Sequence, residues 1–133
     1  MASDSAAFKL DVSAPQWMYD IPLFEHFPAE LLPYLSQHAQ VLQVYPGIEI
    51  LKQNDINTKL FILWKGKLGV HVDGGRVGEL TRCGDLVGEM SVITRSPVAA
   101  TIRTESLSLI IMLDTVAFDE MQTPERAQLE TVL

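Results

Sequence analysis

The chain has 133 residues, of which 47% are hydrophobic and 20% charged, and its formal net charge is −7. This length and composition indicate one globular domain with a hydrophobic core and exclude a disordered chain. The acidic balance, with no run of Lys or Arg, argues against a nucleic-acid-binding surface on this chain, because such a surface needs clustered cations.

The sequence carries no sign of a membrane segment or a secretory signal. Its longest apolar runs, 60–64 and 109–113, are far too short to span a bilayer. Residues 1–7 lack a basic region followed by an apolar segment. Cys83 is the sole cysteine, which excludes an internal disulfide and fits a reducing compartment. We therefore predict a cytoplasmic location.

The N-terminal part divides into a lead-in and the start of the domain. Residues 1–14 are small and polar without periodicity, so we predict a flexible lead-in there and a single domain over 15–133. An apolar face within 28–39 predicts a short helix, which Pro33 divides into two pieces because an interior proline removes a hydrogen bond.

From Gln40 onwards the apolar residues alternate with a period of two, which is typical of strands. Strands are predicted over 41–45, 48–52, 60–64, 67–73, 76–82, 98–104 and 107–113. Turn signals separate them, including Pro46-Gly47, Lys65-Gly66 and Gly74-Gly75. Many short strands with glycine turns predict a mainly β sandwich or roll rather than a parallel α/β sheet.

The stretch 84–101 has a different pattern and reads G-D-L-V-G-E-M-S-V-I-T-R-S-P-V-A-A-T. Its glycines, Gly84 and Gly88, allow positive φ and close approach of the backbone to a ligand. A helical turn over 89–94 would leave its first N–H groups without intrahelical partners. Free N–H donors beside glycines form a cradle for a phosphate.

This stretch resembles the phosphate-binding cassette of the cyclic nucleotide-binding domain family, which reads Gly-Glu and, several residues later, Pro-Arg-Ala-Ala-Thr. The resemblance covers roughly residues 22–121. Further matches fall where the family's β-roll would place them, at Pro46-Gly47, Asp55, Leu60-Phe61-Ile62, Gly66 and Asp73-Gly74. The resemblance implies a mainly β fold, an eight-stranded antiparallel β-roll (jelly roll) with short helices at the N-terminus and C-terminus.

The resemblance also implies a site for cAMP, cGMP or a related small molecule within the cassette 84–101. The site residues implied by the match are Gly88, Glu89, Met90, Ser91, Val98, Ala99 and Ala100. In the family the glutamate accepts a hydrogen bond from the ribose 2′-hydroxyl, which assigns that role to Glu89.

One departure from the family pattern concerns charge. Nine residues after the glutamate the family usually has an arginine that pairs with the cyclic phosphate, and this chain has Val98 there. Removing such a charge-assisted hydrogen bond costs about 1.5–3 kcal/mol, or roughly one to two orders of magnitude in affinity. Arg95 is the candidate substitute, and the alternative is that Arg95 is a solvated loop residue.

Two helical signals follow the last strand, within 115–133. In the family these helices act as a lid over the base or as a dimer seam, and the last is usually longer. We therefore expect a sensor domain excised from its effector, or a chain that ends early. The apolar stripe formed by Leu129, Val132 and Leu133 fits either a homodimer seam or packing on the domain's own roll.

The sequence favours a regulatory domain that binds a cyclic nucleotide or related molecule and relays binding to an effector domain or partner protein not present in this chain. The alternative is a degenerate domain that no longer binds cyclic nucleotides and serves as a protein-interaction or dimerisation module. No nucleophile motif is present, so we do not predict an enzyme. Cys83 and His71 lack the spacing of a metal or haem site, so no metal or cofactor is predicted.

Overall fold

The computed structural model describes residues 7–9, 20–21 and 38–114. The helices predicted within 115–133 lie outside the described residues, as do nearly all of the helix predicted over 28–39 and most of the lead-in 1–14. Within the described part, no helix has the length and apolar character needed to cross a membrane.

The described chain forms two antiparallel sheets and one short helix. The five-stranded sheet has the order β1-β2-β9-β4-β7, and the four-stranded sheet has the order β3-β8-β5-β6. The elements are β1 (Ala7–Lys9), β2 (Ala39–Val44), β3 (Glu49–Leu51), β4 (Lys59–Lys65), β5 (Leu68–Val72), β6 (Gly75–Leu80), β7 (Leu86–Val87), α1 (Glu89–Thr94), β8 (Thr101–Thr104) and β9 (Ser108–Asp114). The mainly β fold is confirmed, with β2 to β9 as the eight strands of the predicted roll.

The structure differs from the strand predictions in three places. Strand β1 falls inside the predicted flexible lead-in, where its backbone pairs with β2 at the edge of the five-stranded sheet. Strand β7 was not predicted, because it is only two residues long. The strand predicted over 98–104 begins at Thr101 instead, because the backbone of Val98 bonds to the loop at Asn54 and Asp55 rather than to a neighbouring strand.

The hydrophobic core lies between the two sheets, because both contribute side chains to one buried cluster. Its members are Leu42, Val44, Ile50, Leu51, Phe61, Leu63, Leu68, Val87, Val98, Ile102, Ile110 and Met112. In β4 the four consecutive residues 60–63 are all buried, so this strand has apolar neighbours on both of its faces. The prediction of a buried strand at this position is confirmed.

An ion-pair cluster joins the β5–β6 hairpin to the turn between β8 and β9. The Glu105 carboxylate accepts hydrogen bonds from Arg76, at 2.7 Å from Nε and 2.9 Å from Nη2, and Lys67 Nζ lies 3.9 Å away. The carboxylate occupies the space above Gly69, where a Cβ would overlap it. The hydrogen bond from Arg76, with the positive charges of Arg76 and Lys67, lowers the pKa of Glu105.

We expect Glu105 to contribute to stability at neutral pH and to lose that contribution in acid. Because the folded-state pKa of Glu105 lies below its unfolded value, the contribution is present above the unfolded pKa and is lost as the pH falls through the folded pKa. Urea unfolding between about pH 6 and about pH 3 should show a shallower acid decline for Glu105→Gln than for the wild type.

The matched control for this pH series is Glu49→Gln. In the wild type the Glu49 carboxylate makes one longer contact, 3.5 Å to Arg103. The Glu49→Gln variant should therefore change the acid decline less than Glu105→Gln does. Identical acid declines for the wild type and Glu105→Gln would show that the cluster does not stabilise the folded state.

Candidate ligand site

A cavity of about 250 Å³ opens beside α1, and we call it the cassette cavity. Seven of the eight residues predicted for the site line it, namely Gly88, Glu89, Met90, Ser91, Val98, Ala99 and Ala100. Arg95, the eighth, is not among the described lining residues; it is exposed and caps the C-terminal end of α1 with a φ of 58°. The structure therefore brings the cassette residues together, and their contact with a ligand stays a prediction.

The other described walls of the cassette cavity are aliphatic side chains from five different strands. They are Leu51, Val70, Leu80, Leu86, Val87 and Ile102. The sequence alone does not single out these residues, because an apolar side chain in a strand has the same pattern whether it lines a cavity or fills a core. Their position depends on how β3, β5, β6, β7 and β8 are arranged around α1.

A hydrogen-bond network centred on Asn57 holds α1 against the start of β4. Asn57 Nδ2 donates to Ser91 Oγ at 3.0 Å and to the Lys59 carbonyl at 2.6 Å, while the Lys59 N–H donates to Asn57 Oδ1 at 2.9 Å. Ser91 Oγ in turn donates to the Gly88 carbonyl at 2.9 Å. Ser91 is buried, so this network fixes the cassette rather than bonding to solvent.

Gly88 is where the chain turns into α1. Its φ is 87°, and a Cβ at this position would lie 2.6 Å from the Lys59 carbonyl oxygen and 2.8 Å from Asn57 Nδ2. The helical turn predicted over 89–94 is confirmed as α1, and the Val92 N–H makes its first backbone bond to the Gly88 carbonyl at 3.1 Å. Only glycine satisfies both the backbone angle and the close packing here.

The profile described as "Cyclic nucleotide-binding domain" matches residues 41–123 of this sequence. The chain belongs to the cyclic nucleotide-binding domain family. A relative, the potassium channel KAT3 of Arabidopsis thaliana, is 32% identical over 103 residues, which cover 74% of this chain and 15% of that protein. The chain thus spans only a small part of the channel's length.

Solved structures share the fold at lower identity. A crystal structure of a cyclic nucleotide-binding domain from Methylobacillus flagellatus KT has a TM-score of 0.79 at 17% identity, covering 96% of this chain and 79% of that one. The regulatory subunit of a cAMP-independent protein kinase A from Trypanosoma brucei has a TM-score of 0.73 at 19% identity, covering 87% of this chain and 43% of that one.

The described walls of the cassette cavity carry little charge. Val98, which the sequence resemblance places at the family's arginine position, is 5% exposed and belongs to the core cluster. Among the lining residues that the structure describes, Glu89 is the sole ionisable one. Lys52 and Lys59 line a neighbouring cavity of about 390 Å³, which shares Leu51 and Val98 with the first. The described walls therefore offer a phosphate no cationic side chain.

No cluster of three or more His, Cys, Asp or Glu side chains suited to a metal ion occurs within residues 7–9, 20–21 and 38–114.

Cys83 is exposed; burial of part of its surface raises the pKa of its thiol, and the Asp20 carboxylate adds to the rise. A raised pKa lowers the fraction of the thiol that is present as reactive thiolate at neutral pH.

Proposed function

We propose that this domain is a regulatory ligand sensor, in which a small molecule binds in the cassette cavity and binding is relayed to an effector domain or partner protein. The observation that carries the proposal is the convergence of seven cassette residues on one cavity within the family's fold. The role is one of binding rather than catalysis. The cytoplasmic location and a homodimer through Leu129, Val132 and Leu133 remain predictions.

Contacts of the loop between β3 and β4 support a relay. The Val98 N–H donates to the Asp55 carbonyl at 2.9 Å, and the Asn54 N–H donates to the Val98 carbonyl at 2.8 Å. Asn57, in the same loop, bonds to Ser91 in α1. A ligand that draws α1 toward residues 98–100 would therefore move this loop, and differential affinity would shift the population toward the closed state. Closure of the lid helices predicted within 115–133 is part of the proposal.

Cyclic nucleotides are the first ligands to test, because the family description names them. By the family pattern, Glu89 would accept a ribose hydroxyl, and the phosphate would lie near Gly88–Ser91 and Ala99. With Val98 in place of arginine, we expect cAMP and cGMP to bind this domain about one to two orders of magnitude more weakly than they bind a domain with that arginine.

A second candidate function is a protein-interaction or dimerisation module that binds no small molecule. The buried Val98 supports it. This side chain packs in the core cluster, so it stabilises the cassette without providing a partner for a phosphate. The Trypanosoma brucei structure is the regulatory subunit of a protein kinase A described as cAMP-independent, so this fold occurs in a kinase that does not depend on cAMP.

Titration followed by amide NMR separates the two functions. Under the sensor function, at least one of cAMP, cGMP, adenosine and guanosine should shift the amide signals of Gly88–Ser91 and Val98–Ala100 saturably, with the β6 edge around Val77 unaffected as an internal control. If none of the four moves the cassette signals at millimolar concentration, the sensor function is wrong and the interaction module is favoured. Isothermal titration then gives the affinities for any ligand that binds.

A further inference from the structure

We infer that the cassette cavity selects a molecule without negative charge, one with an apolar body and a hydroxyl or amine donor, over an anionic ligand. This inference rests on the proposed sensor function and names the chemical class of its ligand. Three properties of the described walls carry it: their charge, their hydrogen-bonding capacity and their apolar surface.

The charge of the walls disfavours an anion. Glu89 is half-buried, and its carboxylate has no hydrogen-bond or ion-pair partner within the described part of the chain. Arg95 is exposed at the far end of α1, and Lys52 and Lys59 line the neighbouring cavity instead. An anion in the cassette cavity would face a carboxylate in a partly desolvated space, and like charges are penalised most strongly where water is excluded.

The side-chain hydrogen-bonding groups on the walls are acceptors. The hydroxyl proton of Ser91 is already donated to the Gly88 carbonyl, and Ser91 Oγ also accepts from Asn57, which leaves it a single free lone pair. Glu89 contributes carboxylate oxygens, which only accept. These side chains offer a phosphate no donor, so only the backbone N–H groups at the start of α1 could bond to it, whereas a ligand hydroxyl or amine supplies a proton that the two side chains can accept.

The remaining surface suits an apolar body. Six aliphatic side chains from five strands, together with Val98 and the methyl groups of Ala99 and Ala100, surround the two polar side chains. Apolar walls with a few convergent polar groups are the usual makeup of small-molecule sites, in which the polar groups fix the orientation. A hydroxyl-bearing molecule with an apolar or aromatic body matches this makeup.

Adenosine and cAMP form a matched pair of probes, because they share base and ribose and differ by the cyclic phosphate. We expect the wild-type domain to bind adenosine at least about tenfold more tightly than cAMP, which corresponds to one lost charge-assisted contact. Val98→Arg should strengthen cAMP binding by about 10- to 100-fold and reverse the preference. Val98→Met is the matched variant that adds volume without charge; it should change both affinities in the same direction and should not reverse the preference.

Glu89→Gln gives an independent test that does not place a charge in the core. Removing the negative charge should weaken adenosine binding and strengthen cAMP binding, so the two affinities move in opposite directions. In the usual family mode, where the glutamate accepts the ribose hydroxyl of cAMP, both affinities would fall together. Glu79→Gln, at an exposed carboxylate outside both cavities, is the control and should change neither.

The outcomes separate the inference from the function on which it rests. Wild-type domain that binds cAMP as tightly as adenosine, or Glu89→Gln that weakens both ligands, would overturn the inference and leave the sensor function standing. Failure of all four nucleosides and nucleotides to shift the cassette amides would overturn both. Circular dichroism and thermal melts test whether Val98→Arg is folded. If it is not, the comparison of Glu89→Gln with the wild type tests the inference.

Discussion

Replacing Gly88 with alanine should lower the free energy of unfolding by about 3 kcal/mol. A non-glycine residue at positive φ costs about 1–2 kcal/mol, and inserting a methyl group into a well-packed position costs about 1–3 kcal/mol more. Here the new Cβ would lie 2.6 Å from the Lys59 carbonyl oxygen, which is backbone and cannot rotate away. The substitution therefore displaces α1 from β4, and urea unfolding of the purified domain measures the loss.

Gly74→Ala is the matched control for this substitution. Gly74 has nearly the same φ, 83°, in the two-residue turn between β5 and β6, but a Cβ there would meet no atom within 4 Å. It should lose only the backbone contribution, about 1 kcal/mol. Equal losses for the two alanine variants would show that contact with Lys59 and Asn57 adds nothing at Gly88.

Thr104→Val should lower the free energy of unfolding by about 2 kcal/mol, although valine nearly matches threonine in volume. Thr104 is 1% exposed, and its hydroxyl accepts from the Ile48 N–H at 2.9 Å and donates to the Tyr45 carbonyl at 2.6 Å. Valine would leave that N–H without its side-chain acceptor, and an unsatisfied buried polar group costs about 1–3 kcal/mol. Thermal and urea unfolding should agree on the loss.

Thr101→Val tests whether this cost depends on burial. Thr101 lies in the same strand and its hydroxyl accepts one hydrogen bond, from the Gln53 N–H at 3.0 Å, but the residue is only partly buried. Water can replace the lost partner there, so the expected loss is below about 1 kcal/mol. A Thr101→Val loss as large as that of Thr104→Val would contradict the account.

Much of the β-roll could be predicted from local patterns, because the alternation of apolar and polar residues lies within each strand and the turn glycines lie next to it. The hairpin at Gly74 and the buried strand β4 follow from such patterns. Strand pairing does not, since it depends on contacts between distant segments. Val98 shows the difference: its sequence neighbours favour a strand, yet its backbone bonds to the loop at Asn54 and Asp55.

The residues of the candidate site likewise differ in whether the sequence predicts them. Its cassette residues are close together in sequence and follow from the family pattern, so seven of them could be named in advance. Asn57 could not, because an asparagine in a loop has no sequence feature that shows it bonding to Ser91 across 34 positions. Arg95 is a candidate from its distance in sequence alone; the structure places it, exposed, in the left-handed turn that ends α1, and its contact with a ligand stays a prediction.

The place of β9 in the five-stranded sheet has a consequence for biosynthesis. This strand lies between β2 and β4 and pairs with both, although it comes last in the described chain. During translation β2 and β4 leave the ribosome first and have no central partner until Asp114 has followed them. Long-range pairing of this kind slows folding and leaves apolar strands open to wrong partners. A nascent chain therefore has to keep both strands from aggregating until the whole described domain has been made.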